Sequence, residues 1–183
     1  MFRNDARYRQ RRRTGESRVD KAIAKGTKAG MVFRAHQWVE TEFEALGRLW
    51  GSGASVPYPV QRLGPEIMME YLGDREGAAP RLVDYHAPLS ELQDLYRQLA
   101  DNLTLLARNG IVHGDLSPYN LLVSQGHLYL IDFPQAVDAF LNPDGLALLE
   151  RDVINTCLWF AKRRVATDPS AILADLTSYL FNG

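Results

Sequence analysis

The sequence predicts an α+β domain. Three observations carry this: apolar residues recur at helical spacing over 90–109 and 146–165; two short apolar runs, Leu121-Leu122-Val123 and Leu128-Tyr129-Leu130-Ile131, flank the turn Ser124-Gln125-Gly126-His127; and a third run, Ile67–Leu72, stops at Gly73. Helical and strand patterns therefore coexist in one chain of 183 residues. That length suits one domain, or one domain with a small lobe.

Each element follows in chain order. Residues 1–30 show no clear period, and Arg11–Ser17 and Gly26–Gly30 read as flexible loop. From residue 31 the character changes. Val32, Phe33, His36, Val39, Phe43, Leu46 and Trp50 step along one helix face until Gly51-Ser52-Gly53 ends it. Val56–Val60 is read as extended because its two prolines bar helix. Ile67–Leu72 is read as a short buried strand, and 74–88, polar and proline-bearing, as a linker or crossover. Ser90 is placed as the cap of the next helix. Leu92, Leu95, Tyr96, Leu99, Leu103 and Leu106 form its stripe, and Gly110 is its stop. A hairpin follows, then a helix over 146–165 with Leu146, Leu149, Val153, Leu158 and Trp159 as core candidates. Pro169 opens a last helix, Ser170–Phe181.

Bulk properties narrow the function classes. Hydrophobic residues make up 46% and charged residues 23% of the chain, ordinary globular values. One cysteine, Cys157, excludes an internal disulfide framework, and there is no Cys/His cluster for zinc. Cys157 sits in an apolar run and is read as core. No segment has the length of a membrane span and no secretory signal is present, so a cytoplasmic, membrane-free protein is expected. The net charge of −1 hides an asymmetry: ten Lys/Arg against three Asp/Glu in residues 1–30, and eleven against nineteen in the rest. The basic segment could meet RNA or another polyanion; a solvated arm is the preferred reading.

The chemistry concentrates in His113-Gly114-Asp115-Leu116-Ser117-Pro118-Tyr119-Asn120 and, beyond the hairpin, Ile131-Asp132-Phe133. A tight loop sets Asp115 and Asn120 side by side, and the two strands return the chain to the same point at Asp132. Two carboxylates and a carboxamide around one point suit phosphoryl transfer. One carboxylate orients the attacking oxygen, while the Asn and the second carboxylate hold the Mg²⁺ that bridges nucleotide phosphates.

These residues, with Ile131-Asp132-Phe133-Pro134-Gln135-Ala136-Val137, resemble the RIO-type atypical serine/threonine protein kinases. Ser117 and Tyr119 inside the loop and the Gln-Ala-Val after Asp132 separate that family from ordinary protein kinases. Trp38 through Leu49 is similar to the family's helix C, Met69–Gly73 to its hinge and Arg151-Asp152-Val153 to its shortened helix F. Only 51 residues follow Asp132, leaving no room for an activation segment and the helical subdomain that ordinary kinases use to hold a peptide.

The resemblance implies a protein-kinase-like fold with a small helical C-lobe. It also exposes a departure. No glycine-rich loop and no Ala-x-Lys strand occurs before Trp38, so an incomplete N-lobe is expected, from a start placed too late or from degeneration. Glu42, the helix C acid, then lacks its usual lysine, and Lys21, Lys25 and Lys28 are the conceivable substitutes. The division expected is 1–30 basic segment, 31–73 partial N-lobe and 74–183 C-lobe.

By resemblance, ATP and Mg²⁺ are the cofactors, Asp115 is the catalytic carboxylate, and Asn120 and Asp132 ligate the metal. Asp132 is in addition a candidate nucleophile for a phospho-aspartate. Met69 takes the gatekeeper position, and backbone groups of Glu70 and Leu72 face the adenine. Ser117 and Tyr119 join Asn120 among the nucleotide-binding residues. His113 braces the loop, and Asp152 ties down its backbone. Ser117 stands where ordinary kinases keep a lysine, which argues against conventional peptide phosphorylation. A protein substrate or ribosomal precursor is the partner class the resemblance suggests. Two alternatives stay open: a small-molecule phosphotransferase of the aminoglycoside or choline kinase type, and a catalytically impaired kinase-like binding module.

Overall fold

A computed structural model describes residues 28–182 of the chain. Residues 1–27, with Lys21, Lys25 and most of the basic segment, lie outside the described residues, as does the side chain of Lys28. The first helix, α1 (Lys28–Gly51), starts three residues before its apolar period. It buries Ala45, Leu46 and Leu49, while Trp50, expected on the core face, is half exposed and stacks on Tyr58. A connector over 52–58 leads to β1 (Pro59–Leu63) and β2 (Glu66–Met69), an antiparallel pair with an irregularity between Pro59 and Gln61.

This pair corrects the sequence reading. The Ile67–Leu72 run is not a buried strand: Met68 is 62% and Tyr71 65% exposed, and only Leu72 enters the core. An apolar run signals burial only if another layer covers it, and α1 touches this sheet without burying Met68 or Tyr71.

The rest of the molecule is a helical base under a second hairpin. Helix α2 (Leu89–Arg108) places Leu92, Leu95, Leu99, Leu103 and Leu106 in the core. Each such side chain contributes about 1.5–3 kcal/mol by leaving water. Pro88, not Ser90, precedes its first turn, and no side chain caps it. Gly110 ends it in the left-handed region, φ +66°. Short strands β3 (Ile111–Val112) and β6 (Val137–Asp138) pair antiparallel. Between them lies the hairpin of β4 (Leu121–Ser124) and β5 (His127–Leu130), closed by Gln125 and Gly126, both at positive φ as a tight two-residue turn requires.

Helix α3 (Gly145–Ala161) ends four residues earlier than its pattern suggested. Leu149, Val153 and Trp159 are buried as read, but Leu146 and Leu158 are about half exposed. The buried face runs instead through Asp152, Thr156, Cys157 and Phe160. This helix is apolar on several sides, so its sequence does not say which side faces the core. Helix α4 (Pro169–Asn182) packs on α2 and α3. Among the described residues, no helix is long and apolar enough to cross a membrane.

Candidate active site

The loop between β3 and β4 is held from three sides. Asp152, on α3, is 1% exposed and accepts the N–H groups of Gly114 (2.8 Å) and Leu116 (3.0 Å) on its two carboxylate oxygens. Arg151 beside it donates to the Gly114 carbonyl. Gly114 itself is conformationally obligatory. Its φ is +80°, and a Cβ there would lie 2.4 Å from the Gln135 carbonyl oxygen. The third hold is Arg81, which donates to the Tyr119 carbonyl at 2.8 Å.

His113 joins the two chemical loops. Its Nδ1 receives the Asp115 N–H (3.3 Å) and its Nε2 meets the Ile131 carbonyl (3.0 Å). A carbonyl can only accept and an N–H can only donate, so this geometry requires the neutral Nε2–H tautomer. Burial lowers the imidazole pKa, against the Ile131 hydrogen bond and the charges of Asp115 and Asp132, which would raise it. Phe133 packs on the ring at 4.5 Å.

Asn120 closes the circuit. Its N–H is bonded to the Ser117 carbonyl, its side-chain amide donates to the Asp115 carbonyl (2.9 Å), and its own carbonyl takes the Ile131 N–H (3.0 Å). The amide nitrogen is thus committed to the loop, while Oδ1 keeps no partner among the described residues, the state an oxygen ligand for a hard cation needs. Asp132 follows Ile131 with φ +69°, and its carboxyl group is exposed, as is that of Asp115. Asp115, Asn120, His113 and Ile131 therefore form one hydrogen-bonded circuit, and Asp132 follows directly on Ile131. Among the described residues no cluster of three His, Cys, Asp or Glu side chains exists that could cage a metal unaided. Mg²⁺ commonly takes one or two protein ligands and completes its shell from phosphate and water.

Glu42 reaches this site from α1. Its Oε1 accepts the Phe133 N–H at 3.2 Å, and among the described residues it has no ion pair. Burial raises its carboxyl pKa, the Phe133 bond opposes the shift, and the charge of Asp132 adds to it. The acid for which the resemblance implies a lysine partner is thus tied to the backbone immediately after Asp132.

The hinge residues stand apart from this circuit but connect to it. Glu70 donates its N–H to Tyr58 and Leu72 accepts from Ala79, which leaves the Glu70 carbonyl and the Leu72 N–H without partners among the described residues. The chain then runs along β4, where Arg81 bridges Leu122 and Val123 donates to Pro80. Met69 is 38% exposed, Tyr119 58% exposed and Ser117 half-buried. Sequence reasoning gave no role to Arg81, Gln135 or Arg151. Arg151 stood within a quoted motif; Arg81, in an apparent linker, carried no signal.

Helical base, buried hairpin and paired loops define a protein-kinase-like α+β domain, with a small two-stranded sheet in place of a full upper lobe among the described residues. The family model described as the RIO domain matches residues 1–172. The RIO-type serine/threonine-protein kinase Rio1 of Thermoplasma acidophilum is 35% identical over 135 residues, 74% of this chain and 69% of that protein. The serine/threonine-protein kinase RIO1 of Chaetomium thermophilum is 35% identical over 94% of this chain, and the Rio1 of Haloferax volcanii 33% identical over 83%. The chain belongs to the RIO family. It spans 34% of the Chaetomium protein and 51% of the Haloferax protein.

Proposed function

We propose that the protein is an ATP- and Mg²⁺-dependent serine/threonine kinase or ATPase of the RIO type, working from the cytoplasm. The observation that carries this reading is the hydrogen-bonded circuit of Asp115, Asn120, His113 and Ile131, which ties together the backbone of the two loops that bear the exposed Asp115 and Asp132 and leaves Asn120 Oδ1 without a partner among the described residues. Asn120 Oδ1 and Asp132 hold the metal, which, when bound, screens the phosphate charge. Asp115 orients the attacking hydroxyl or water and takes its proton. Asp132 is the candidate acceptor of a phosphoryl group. The unpaired Glu70 carbonyl and Leu72 N–H meet the adenine edge, with Met69 beside them, and Ser117 and Tyr119 border the phosphates. In this reading residues 31–73 serve as the partial upper lobe and 74–183 as the lower lobe, and the phosphoryl acceptor is a protein or ribosomal precursor.

Calorimetry tests it. The wild-type chain should bind ATP more tightly with Mg²⁺ than without. Asp132→Ala should abolish that difference while the circular dichroism spectrum stays native. Asp115→Ala should leave binding in place and remove phosphate release. An Asp132→Ala variant with undiminished Mg·ATP affinity would sink the proposal.

A further inference from the structure

Two carboxamides on one face of α2, Gln98 and Asn102, take part in none of the chemistry above, yet every polar atom they own is engaged. Gln98 donates to the Gly126 carbonyl (2.9 Å) and accepts from the Leu128 N–H (2.8 Å), gripping the hairpin at its turn. Asn102, one helical turn on and 4% exposed, donates to the Gln98 carbonyl (2.8 Å) and accepts the Ser55 N–H at 2.6 Å. Ser55 lies in the connector between α1 and β1, and its carbonyl receives the Leu130 N–H at 2.9 Å. Leu130 is two residues from Asp132, and the intervening Ile131 is the residue bonded to both Asn120 and His113.

We infer that Asn102, supported by Gln98, is a positioning residue that sets where β5 presents Asp132, and with it the geometry of the Asn120–Asp132 metal pair. The inference rests on the metal-binding role proposed above. The physical argument is one of accounting. The Ser55 N–H is partly buried, and its 2.6 Å bond to the buried Asn102 carboxamide gives it one favoured seat while Asn102 is present. Ser55 thus links the connector after α1, the middle of α2 and β5, which ends at Leu130, two residues before Asp132. Its N–H and C=O lie in the two peptide groups that flank one Cα, so fixing the N–H on Asn102 restricts, through that shared Cα, where the C=O can meet Leu130. A carboxamide suits the place, because its oxygen accepts from Ser55 while its nitrogen donates to the Gln98 carbonyl, which fixes the side chain's orientation. Outer partners of metal ligands typically change metal affinity or activity about 10–100-fold when removed.

The test uses the full chain with Asn102→Leu and Asn102→Asp. Leucine keeps the branching of the side chain in a somewhat larger volume and loses both hydrogen bonds. Aspartate keeps the acceptor for Ser55. Amide exchange is followed without nucleotide, and Mg²⁺ dependence is followed in phosphate release and in ATP binding. With Asn102→Leu, exchange should rise selectively at Ser55, Leu130 and Ile131. The Mg²⁺ concentration for half-maximal turnover should rise about tenfold, while metal-free ATP affinity stays put because the hinge is untouched. Asn102→Asp should restore most of the Mg²⁺ response. A lower melting temperature with exchange raised evenly over the chain, or an unchanged Mg²⁺ midpoint, would overturn the inference. If the wild-type chain shows no Mg²⁺-dependent binding, the proposed function fails, and the exchange pattern alone then decides whether Asn102 sets the position of β5. If Asn102→Leu does not fold, Gln98→Ala, which releases the turn end only, should raise exchange at Leu128; no change there would equally overturn the clamp.

Discussion

The molecule contains two antiparallel hairpins of similar length with opposite fates. In β4–β5, Leu121, Val123, Leu128 and Leu130 are at most 3% exposed, and α2, the 79–82 segment and the Ser55 connector all bond to it. In β1–β2, every residue but Pro59 and Ile67 is exposed, and among the described elements the pair packs chiefly on α1. The first presents the metal-binding candidates and the second leads into the hinge. The difference teaches that the end of the site proposed for the phosphates is held by several neighbouring segments, whereas the end proposed for the base relies on little besides its own strand pairing and α1.

Substitution in the two sheets should expose the contrast most strongly. Leu128→Ala removes a fully buried side chain and should cost about 2–5 kcal/mol of unfolding free energy. Met68→Ala, at a residue 62% exposed, should stay within about 0.5 kcal/mol. Urea denaturation of both variants measures it. Equal losses would mean that β1–β2 is covered in solution.

The next largest effect is expected at the loop that the buried hairpin supports. Gly114→Ala forces a left-handed φ on a residue with a Cβ and drives it onto the Gln135 backbone oxygen. About 2–4 kcal/mol should be lost, with phosphate release falling before the chain unfolds. Gly126→Ala, also at positive φ but with open space around its Cβ, should show the conformational part alone, about 1–2 kcal/mol.

A smaller effect is one of pH. Burial raises the Asp152 pKa from 3.8 to about 6, against the Gly114 and Leu116 hydrogen bonds and the Arg151 charge. The folded chain therefore takes up this proton as pH falls through about 6, well before the unfolded chain does. Between those two values the group favours folding as pH falls, so its protonation does not unfold the protein. The consequence is local. Two N–H donors need two acceptor oxygens, and a protonated carboxyl offers one poorly. Turnover should decline below about pH 6 with no drop in melting temperature from this group. Asp152→Asn should be slower at neutral pH and lack that acid limb. A limb that survives in the Asn variant belongs to another residue.

The sequence showed some of this and hid the rest for identifiable reasons. The hairpin and its Gln125-Gly126 turn, the α2 stripe and the Asp115–Asn120–Asp132 grouping were legible because each is a local pattern. Asp152 was legible through its motif. Burial of β2 was misjudged because composition reports what a strand could bury and not whether a layer lies above it. The Glu42–Phe133 bond spans 91 residues in sequence, and Gln98 and Asn102 looked like the polar face of a helix. Their partners are backbone groups of distant segments, and a backbone group leaves no mark in the sequence.

Asp132 holds a left-handed backbone, φ +69°, which a residue bearing a Cβ adopts at a penalty of about 1–2 kcal/mol. The proposed metal ligand is thus also a source of local backbone strain at the turn out of β5. Selection for stability alone would replace it. Asp132→Gly should melt higher than the parent chain while binding no Mg²⁺. At this position an aspartate is the signature of a working protein, and a glycine would be the signature of one that has retired from chemistry and kept its fold.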